Sequence, residues 1–500
     1  MMTEELWDIP ASWEWTRLTR LGDIVGGGTP STKERKYWGE DVNWISPADL
    51  TGYTSKTIAR GAKGLTQAGL DHSSAKVMPR GSVHFSSRAP IGYVAISSAS
   101  LATNQGFKSL VPAEDIFNEF VYYYLKSATD LARKRASGTT FLELSGTAFG
   151  ALPIPIAPTN EQRRIVAKIV ELFSELDKGV EALTTAHEQL KAYRQSVLKH
   201  AFEGRLTEKR RKANPHILEN LLANIQAERK TRNPKKASRL RPERHDVSLD
   251  PQVPEGWSIE FLGNLNVEIF DGPFGSHLKT SDYVESGVRV IRLENIGHGH
   301  FIDEKRSFVS KEKYKDIQKH TVVPGDIVFS SFVTEAIRSA LVPSHIPFAV
   351  NKADCFAIRF FGKTVNPKFV QLFLRSRNPF KQVEGMIHGV GRPRINTSQL
   401  KEIVVPICAP AEQVLIIEKL ETIFSETDAL EFTLESDLAQ LAAVRQSILK
   451  QAFAGQLVAQ DPKDEPAAVL LERIRAEREG TSTNRSRNSK NSKSRKKNAA

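Results

Sequence analysis

At 500 residues, 40% apolar and 26% charged, the chain is long enough for two core-forming domains, and it holds no run of the ~18–20 apolar residues that a membrane span needs. Its opening, MMTEELWDIP, is acidic where a secretory signal would be basic, and two cysteines without metal-type spacing, Cys355 and Cys408, point to a reducing cytoplasm. The net charge of +12 is concentrated. Residues 205–245 carry +9 and residues 480–500 hold seven Lys/Arg and no acid, while residues 1–160 and 246–410 come to +1 and +2.

Residues 1–160 read as a first globular segment. A Pro-x-x-Trp step at Pro10–Trp13 leads into strand-type alternation through Ile24. In MPRGSVHFSSRAPIGYVAI (Met78–Ile96) a Pro-x-Gly turn feeds a strand ending in Ser-Ser; Asp115–Ser137 reads as a helix, and LPIPIAP as a closing strand. Strands mixed with helices give an α+β class. Residues 161–204 form a long helix whose stripe runs Ile165, Ile169, Leu172, Leu176, Leu183, Ala186, Leu190, Tyr193 and Val197, with Gly179 as its gap. That 3.5-residue spacing is the pattern of a coiled coil. Residues 205–245 are a basic helical linker.

Residues 246–410 repeat the first segment with VPEGWSIEF, VVPGDIVFSS and IVVPICAP, and residues 411–455 repeat the long helix. The second stripe runs Ile416, Leu420, Ile423, Thr427, Leu430, Leu434, Asp437, Leu441, Val444 and Ile448. A helical region over 456–479 then precedes a Ser/Asn-rich tail, 480–500, whose composition predicts disorder. Glu161–Leu206 laid on Glu412–Leu457 at an offset of 251 gives 21 identities in 46 positions, where chance gives roughly three. The chain is therefore an internal duplication, expected to have pseudo-two-fold symmetry. The two stripes predict antiparallel pairing of the helices into a spacer of about 60 Å between two globular domains. Gly204 and Gly455 stand where each helix should be capped.

The ordered motifs GGGTPST, WISPADL, SSRAPIGY, TNQGF and LPIPIAPTNEQ in the first half, with FDGPFGSHLKTSDY, VIRLENIGHG and VPICAPAEQ in the second, resemble the specificity subunits of type I restriction–modification enzymes. The resemblance covers all but the basic tail. It implies two target-recognition domains that read an interrupted, asymmetric DNA sequence, with the helices setting the gap. It also implies partners: two modification subunits that methylate adenine with S-adenosylmethionine, and restriction subunits using ATP and Mg2+. No cofactor is expected in this chain. Two readings stand for the repeated RQSxLKxAFxGxL segments. Arg194, Gln195, Phe202, Arg445, Gln446 and Phe453 form equivalent docking surfaces for two partners, or each segment packs on the opposite globular domain.

Catalytic motifs are missing from the sequence: there is no phosphate loop and no Asn-Pro-Pro-aromatic tetrapeptide. His298 and His300 lack an obvious third metal ligand, and Asp303–Lys305 lacks the upstream acid of a nuclease. The expectation is a binding protein with no catalytic or metal residue. Side chains that hydrogen-bond bases or phosphates, on loops beside the motif strands, are the DNA-reading candidates. They are Thr29, Ser31, Ser46, Arg88, Asn104, Gln105, Thr139 and Thr140 in the first domain. In the second they are Ser276, His277, Lys279, Arg292, Asn295, Arg338, Arg392 and Arg394. Ser46, Asn104 and Asn295 equally suit turn-holding roles, and Arg292 could pair near Glu294. An orphan DNA-binding scaffold for a different effector is the alternative function; a nuclease with a coiled-coil arm leaves the duplication unexplained.

Overall fold

The computed structural model describes residues 6–138, 142–213, 221–232, 253–387 and 393–480, and it divides into two compact units. Unit 1 combines Met1–Leu183 with Ser436–Ala500; unit 2 is the continuous stretch Thr184–Glu435.

In unit 1 the strands that place the candidate loops are β1 (Glu14–Arg17), β2 (Gly22–Gly26), β3 (Thr57–Ile58), β4 (Val83–Ser87), β5 (Ile91–Ser97), β6 (Phe107–Pro112) and β7 (Pro153–Ile156). One sheet runs β2-β6-β4-β5-β3, and β1 pairs with β7 as a separate antiparallel ribbon. Every residue of β4 is buried, as suits a central strand covered on both faces. It ends in the predicted Ser86-Ser87 step. Helix α1 (Asn118–Ser127) packs on β5, and α2 (Gly146–Gly150) brings Phe149 to stack on Phe85 at 5.4 Å. The helix expected over Asp115–Ser137 is broken at Ala128 into α1 and a short turn of helix, Thr129–Lys134. Ser127 and Thr129 hydroxyls donate to the carbonyls of Tyr124 (2.7 Å) and Lys126 (3.1 Å), which competes with helix continuation.

Unit 2 repeats the plan with β8 (Ser258–Phe261), β9 (Val267–Phe270), β10 (Ile327–Ser330), β11 (Ser339–Leu341), β12 (Cys355–Phe360) and β13 (Val404–Ile407). Its central sheet runs β9-β12-β10-β11, and β8 pairs with β13 as β1 does with β7. A further five-stranded sheet, built on Val288–Ile291 and Ala349–Asn351, carries the second domain's own loops. Helices α3 (Leu221–Arg232), α4 (Pro367–Leu374) and α5 (Thr397–Lys401) complete the unit.

The two long helices are Thr159–Phe202 and Pro410–Phe453. They run antiparallel, as expected. Within unit 1, Asp177 meets Arg445 and Gly179 faces Leu441; within unit 2, His187 meets Glu431 and Arg194 meets Thr427. Each helix ends in the predicted glycine cap. Gly204 and Gly455 both have φ +70°, and the N–H of the next residue returns to the carbonyl five back, Arg205 to His200 and Gln456 to Gln451, both at 2.9 Å. A Cβ at Gly204 would stand 2.5 Å from Pro254, and one at Gly455 2.3 Å from Pro10. The opening proline of each globular domain thus seats on a bare cap.

The stripes are less continuous than the spacing implies. Ile165, Ile169, Ile416 and Leu420 are fully buried, but Tyr193, Leu430 and Val444 are 50%, 55% and 44% exposed. A two-helix pair covers a narrow stripe, and polar pairs take over where it fails.

The repeated segments belong to the cores. Phe202 lies 5.2 Å from both Phe369 and Phe373 in unit 2, and Phe453 packs on Phe120 and Tyr124 at 5.2 and 5.1 Å in unit 1. The helices that follow do the same: Leu221 and Ile225 enter the core of unit 2, while Leu470 and Ile474, on a helix over 467–480, enter that of unit 1. The core of each unit is therefore closed by a repeated segment and the helix that follows it. This corrects the docking assignment of Phe202 and Phe453, which are core side chains of their own chain.

Candidate nucleic-acid interface

In unit 1 the glycine-rich loop after β2 runs so close to its neighbour that a Cβ at Gly27 would sit 1.8 Å from the Asn104 carbonyl oxygen. Glycine alone fits there. The approach brings two sequence candidates together, with Thr29 Oγ1 hydrogen-bonded to Gln105 Oε1. The Gln105 carbonyl accepts from Lys108 Nζ (3.1 Å), which also reaches Ser87 Oγ (3.3 Å) and Glu143 (3.2 Å). Arg88 approaches the other oxygen of Glu143 at 3.4 Å. Thr29, Gln105 and Arg88 thus share one polar surface with Lys108 and Glu143, which the sequence reading missed.

Ser46 and Asn104 hold turns. The Ser46 N–H and hydroxyl donate to Asp49 at 2.7 and 2.8 Å, and Asn104 Oδ1 accepts from the Gly106 N–H at 2.8 Å. Ser31 is exposed, and its carbonyl accepts from Trp38 Nε1 at 3.3 Å. Thr139 and Thr140 lie outside the described residues, as do Arg392 and the basic tail.

Unit 2 repeats the close approach, with Gly272 against the backbone of Asn351 and Lys352. Ser276, His277 and Lys279 follow on an exposed turn beyond Phe274. Arg292 is shared between Glu294 and Ser307, both at 3.4 Å. Arg338 donates to Ser330 Oγ (2.9 Å) and the Leu293 carbonyl (3.3 Å). Arg394 is exposed, 3.8 Å from Asp354, whose carboxylate accepts from Ser331 Oγ at 3.1 Å. Burial, partly offset by the Gly272 N–H, pushes the nearby Asp271 carboxyl up to about 6.

Residues 10–191 and 275–440 match the family described as the type I restriction modification DNA specificity domain. The chain belongs to this family. It is 26% identical to the type I restriction enzyme MjaIX specificity subunit of Methanocaldococcus jannaschii, over 90% of this chain and 94% of that one. It is 27% identical to the EcoBI specificity subunit of Escherichia coli over 75% of each chain. A solved chain, described as the structural basis of complex assembly and conformational transition of the type I R-M system, shares the fold with a TM-score of 0.65 at 18% identity. That likeness spans 90% of this chain and 100% of the solved one.

Two further site candidates of this specificity-family chain are corrected by their surroundings. Asn295 is fully buried; its Nδ2 donates to the carbonyls of Ile302 and Lys305 (2.9 and 2.8 Å) and its Oδ1 accepts from the Arg292 N–H. It holds a turn and has no face for a base. Arg194 is consumed by Glu431, Asp428 and Thr427 on the facing helix. Gln195 donates to the Arg375 carbonyl at 3.3 Å, Arg445 pairs with Asp177, and Gln446 is exposed.

Among the described residues, one group has ligand atoms within 4.8 Å that could share a cation: His187, Glu431 and Glu435. Burial opposes ionisation of Glu431, but Arg194 and His187 overcome it and hold the carboxyl below its usual range. The cluster is an interhelical ion-pair network with a guanidinium already in place. No helix among the described residues is long and apolar enough to cross a membrane.

Proposed function

We propose that this chain reads a bipartite, asymmetric DNA target and directs adenine methylation or restriction by partner subunits. The carrying observation is one recognition scaffold built twice, with the same close loop approach at Gly27 and Gly272 but different side chains on the loops. Two copies of one scaffold suit two half-sites on the DNA backbone, and unlike loops suit unlike sequences. Family membership supports the same reading.

The chain itself is non-catalytic. S-adenosylmethionine, ATP and Mg2+ serve the modification and restriction subunits with which it associates, two modification subunits in this proposal, in the cytoplasm. The paired long helices act as the spacer that fixes the unread gap. With Phe202, Phe453 and Arg194 committed internally, the exposed positions Gln446, Tyr193, Leu430 and Val444 remain for docking. Methylated adenines mapped across the host genome, with and without this gene, test the function. Loss of one bipartite motif on deletion is the expected result; an unchanged map would overturn it in favour of an orphan scaffold.

A further inference from the structure

Two positions separated by the 251-residue offset occupy the same place in the two units and carry opposite charges. Leu144 donates its N–H to the Ser87 carbonyl at 2.9 Å, and Ile395 donates to the Ser331 carbonyl at 3.0 Å. Both apolar side chains are buried. The next residues, Ser145 and Asn396, cap α2 and α5 through their side-chain oxygens. The preceding residues are Glu143 and Arg394, with side chains 39% and 61% exposed.

The surroundings are inverted as well. Glu143 faces two cations, Arg88 at 3.4 Å and Lys108 at 3.2 Å, whereas Arg394 faces the carboxylate of Asp354 at 3.8 Å. Asp354 and Gly106 are themselves equivalent, since their carbonyls accept from the N–H groups of Ser331 and Ser87 at 2.9 and 2.7 Å. A buried anchor and a helix cap thus fix the backbone in both copies, while the residue in front of them is free to differ. The Arg88–Glu143 and Arg394–Asp354 pairs are long and partly exposed and hold their side chains loosely. Lys108, shielded and at 3.2 Å, keeps one oxygen of Glu143 in place and leaves the other to a new partner. A partner offering matched hydrogen bonds can displace the two loose pairs.

We propose that Glu143 and Arg394 are paired specificity-determining residues, one for each half-site. Glu143 accepts from the exocyclic amine of a cytosine, and Arg394 donates to O6 and N7 of a guanine, the pairings their geometry favours in the major groove. The inference rests on the DNA-reading function proposed above. It adds which position decides the sequence, and it accounts for two like folds reading unlike half-sites.

The test is chromosomal replacement of Glu143→Gln and, separately, Arg394→Gln in the native host, followed by mapping of methylated adenines. Each variant should relax one base position in one half-site, with methylation of non-cognate sites rising to within about tenfold of the cognate site from a gap of roughly a hundredfold. The other half-site stays unchanged and serves as the internal control for folding and assembly. A wild-type motif in both variants, or an equal loss of methylation without any change of motif, overturns the inference. Should Glu143→Gln fail to accumulate, Glu143→Asp keeps the negative charge and carries the same readout. Wild-type cells mapped alongside must show one bipartite motif dependent on the gene; if they do not, the underlying function fails, and this inference with it.

Discussion

Arg194 and Glu431 are joined at 2.7 Å across the two long helices, where the apolar stripe has given way to exposed Tyr193 and Leu430. The guanidinium also engages Asp428 and donates to Thr427 Oγ1 at 2.9 Å. Three partners in a partly shielded setting are worth more than one on the surface. Arg194→Ala should destabilise unit 2 by about 1–3 kcal/mol. Its repeat counterpart, Arg445, has one ion-pair partner among the described residues, the exposed Asp177, and lies 4.8 Å over the Phe173 ring, so Arg445→Ala should cost less, about 1 kcal/mol. Thermal melts of the two variants check the ranking, and a double-mutant cycle with Glu431→Ala isolates the coupling.

Gly179 interrupts the first stripe, and a Cβ there would meet Leu441 Cδ1 at 3.4 Å, an ordinary packing distance. Alanine also removes the backbone freedom that glycine brings to a helix interior. Gly179→Ala should stabilise unit 1 by about 0.5–1 kcal/mol, read as a raised urea midpoint. An unchanged or lowered midpoint would show that the gap is needed for close approach of the helices.

Phe453→Ala and Phe202→Ala each empty a ring-sized space in a packed aromatic cluster, at about 3–5 kcal/mol. The losses should be separable, since Phe453 belongs to the core of unit 1 and Phe202 to that of unit 2. Hydrogen exchange should show faster opening around Phe120 in the first variant and around Phe369 in the second. Gln446→Ala, on an exposed position, should leave both protected.

Two groups, one in each unit, should respond to acid in opposite senses. Burial pushes the His84 imidazole down to about 3, with Nδ1 2.9 Å from Ser109 Oγ. Between that value and the unfolded value of ~6.5 the unfolded chain takes up a proton that the native state refuses. The contribution is present above ~6.5 and is lost as pH falls, by at most about 1.4 kcal/mol per unit. Asp271 behaves inversely. Its raised value, about 6, means that the native state keeps a proton the unfolded chain releases near ~3.9. That contribution is complete below ~4 and is lost as pH rises to about 6, a difference of about 1–2 kcal/mol after allowing for partial exposure. Urea melts at pH 4.5 and 6.5 should show His84→Gln flattening the slope of unit 1, and Asp271→Asn stabilising unit 2 at the higher pH.

The chain alone should bind DNA weakly. Its recognition segments are near neutral, and phosphate neutralisation supplies much of the affinity of DNA-binding proteins. The purified chain should show affinity for its target no better than micromolar at physiological salt, rising with modification subunits added. Tight, sequence-specific binding by the isolated chain in a fluorescence titration would contradict this.

The duplication, the helix ends at Gly204 and Gly455 and the Ser-Ser strand ends were legible because each rests on local chemistry: a fixed offset, a left-handed cap, a turn before an apolar run. Phe202 and Phe453 were not. A phenylalanine in a repeated polar segment looks the same whether it meets a partner or a core, and only long-range packing on Phe369 or Phe120 decides it. Asn295 was open to both readings until its buried turn consumed it. Glu143 carried a signal that was missed: it stands 251 residues before Arg394, and comparing the two copies for charge reversal would have found it.

Unit 2 is continuous in the chain, whereas unit 1 is finished by residues that follow it. On the ribosome, the aromatic cluster around Phe120 and Tyr124 must wait for Phe453, roughly 330 residues and on the order of 15–60 s later at ordinary synthesis rates. Unit 2 has by then emerged whole. The domain made first is thus the one completed last, and a nascent chain passes through an interval in which its N-terminal core is open and accessible to chaperones.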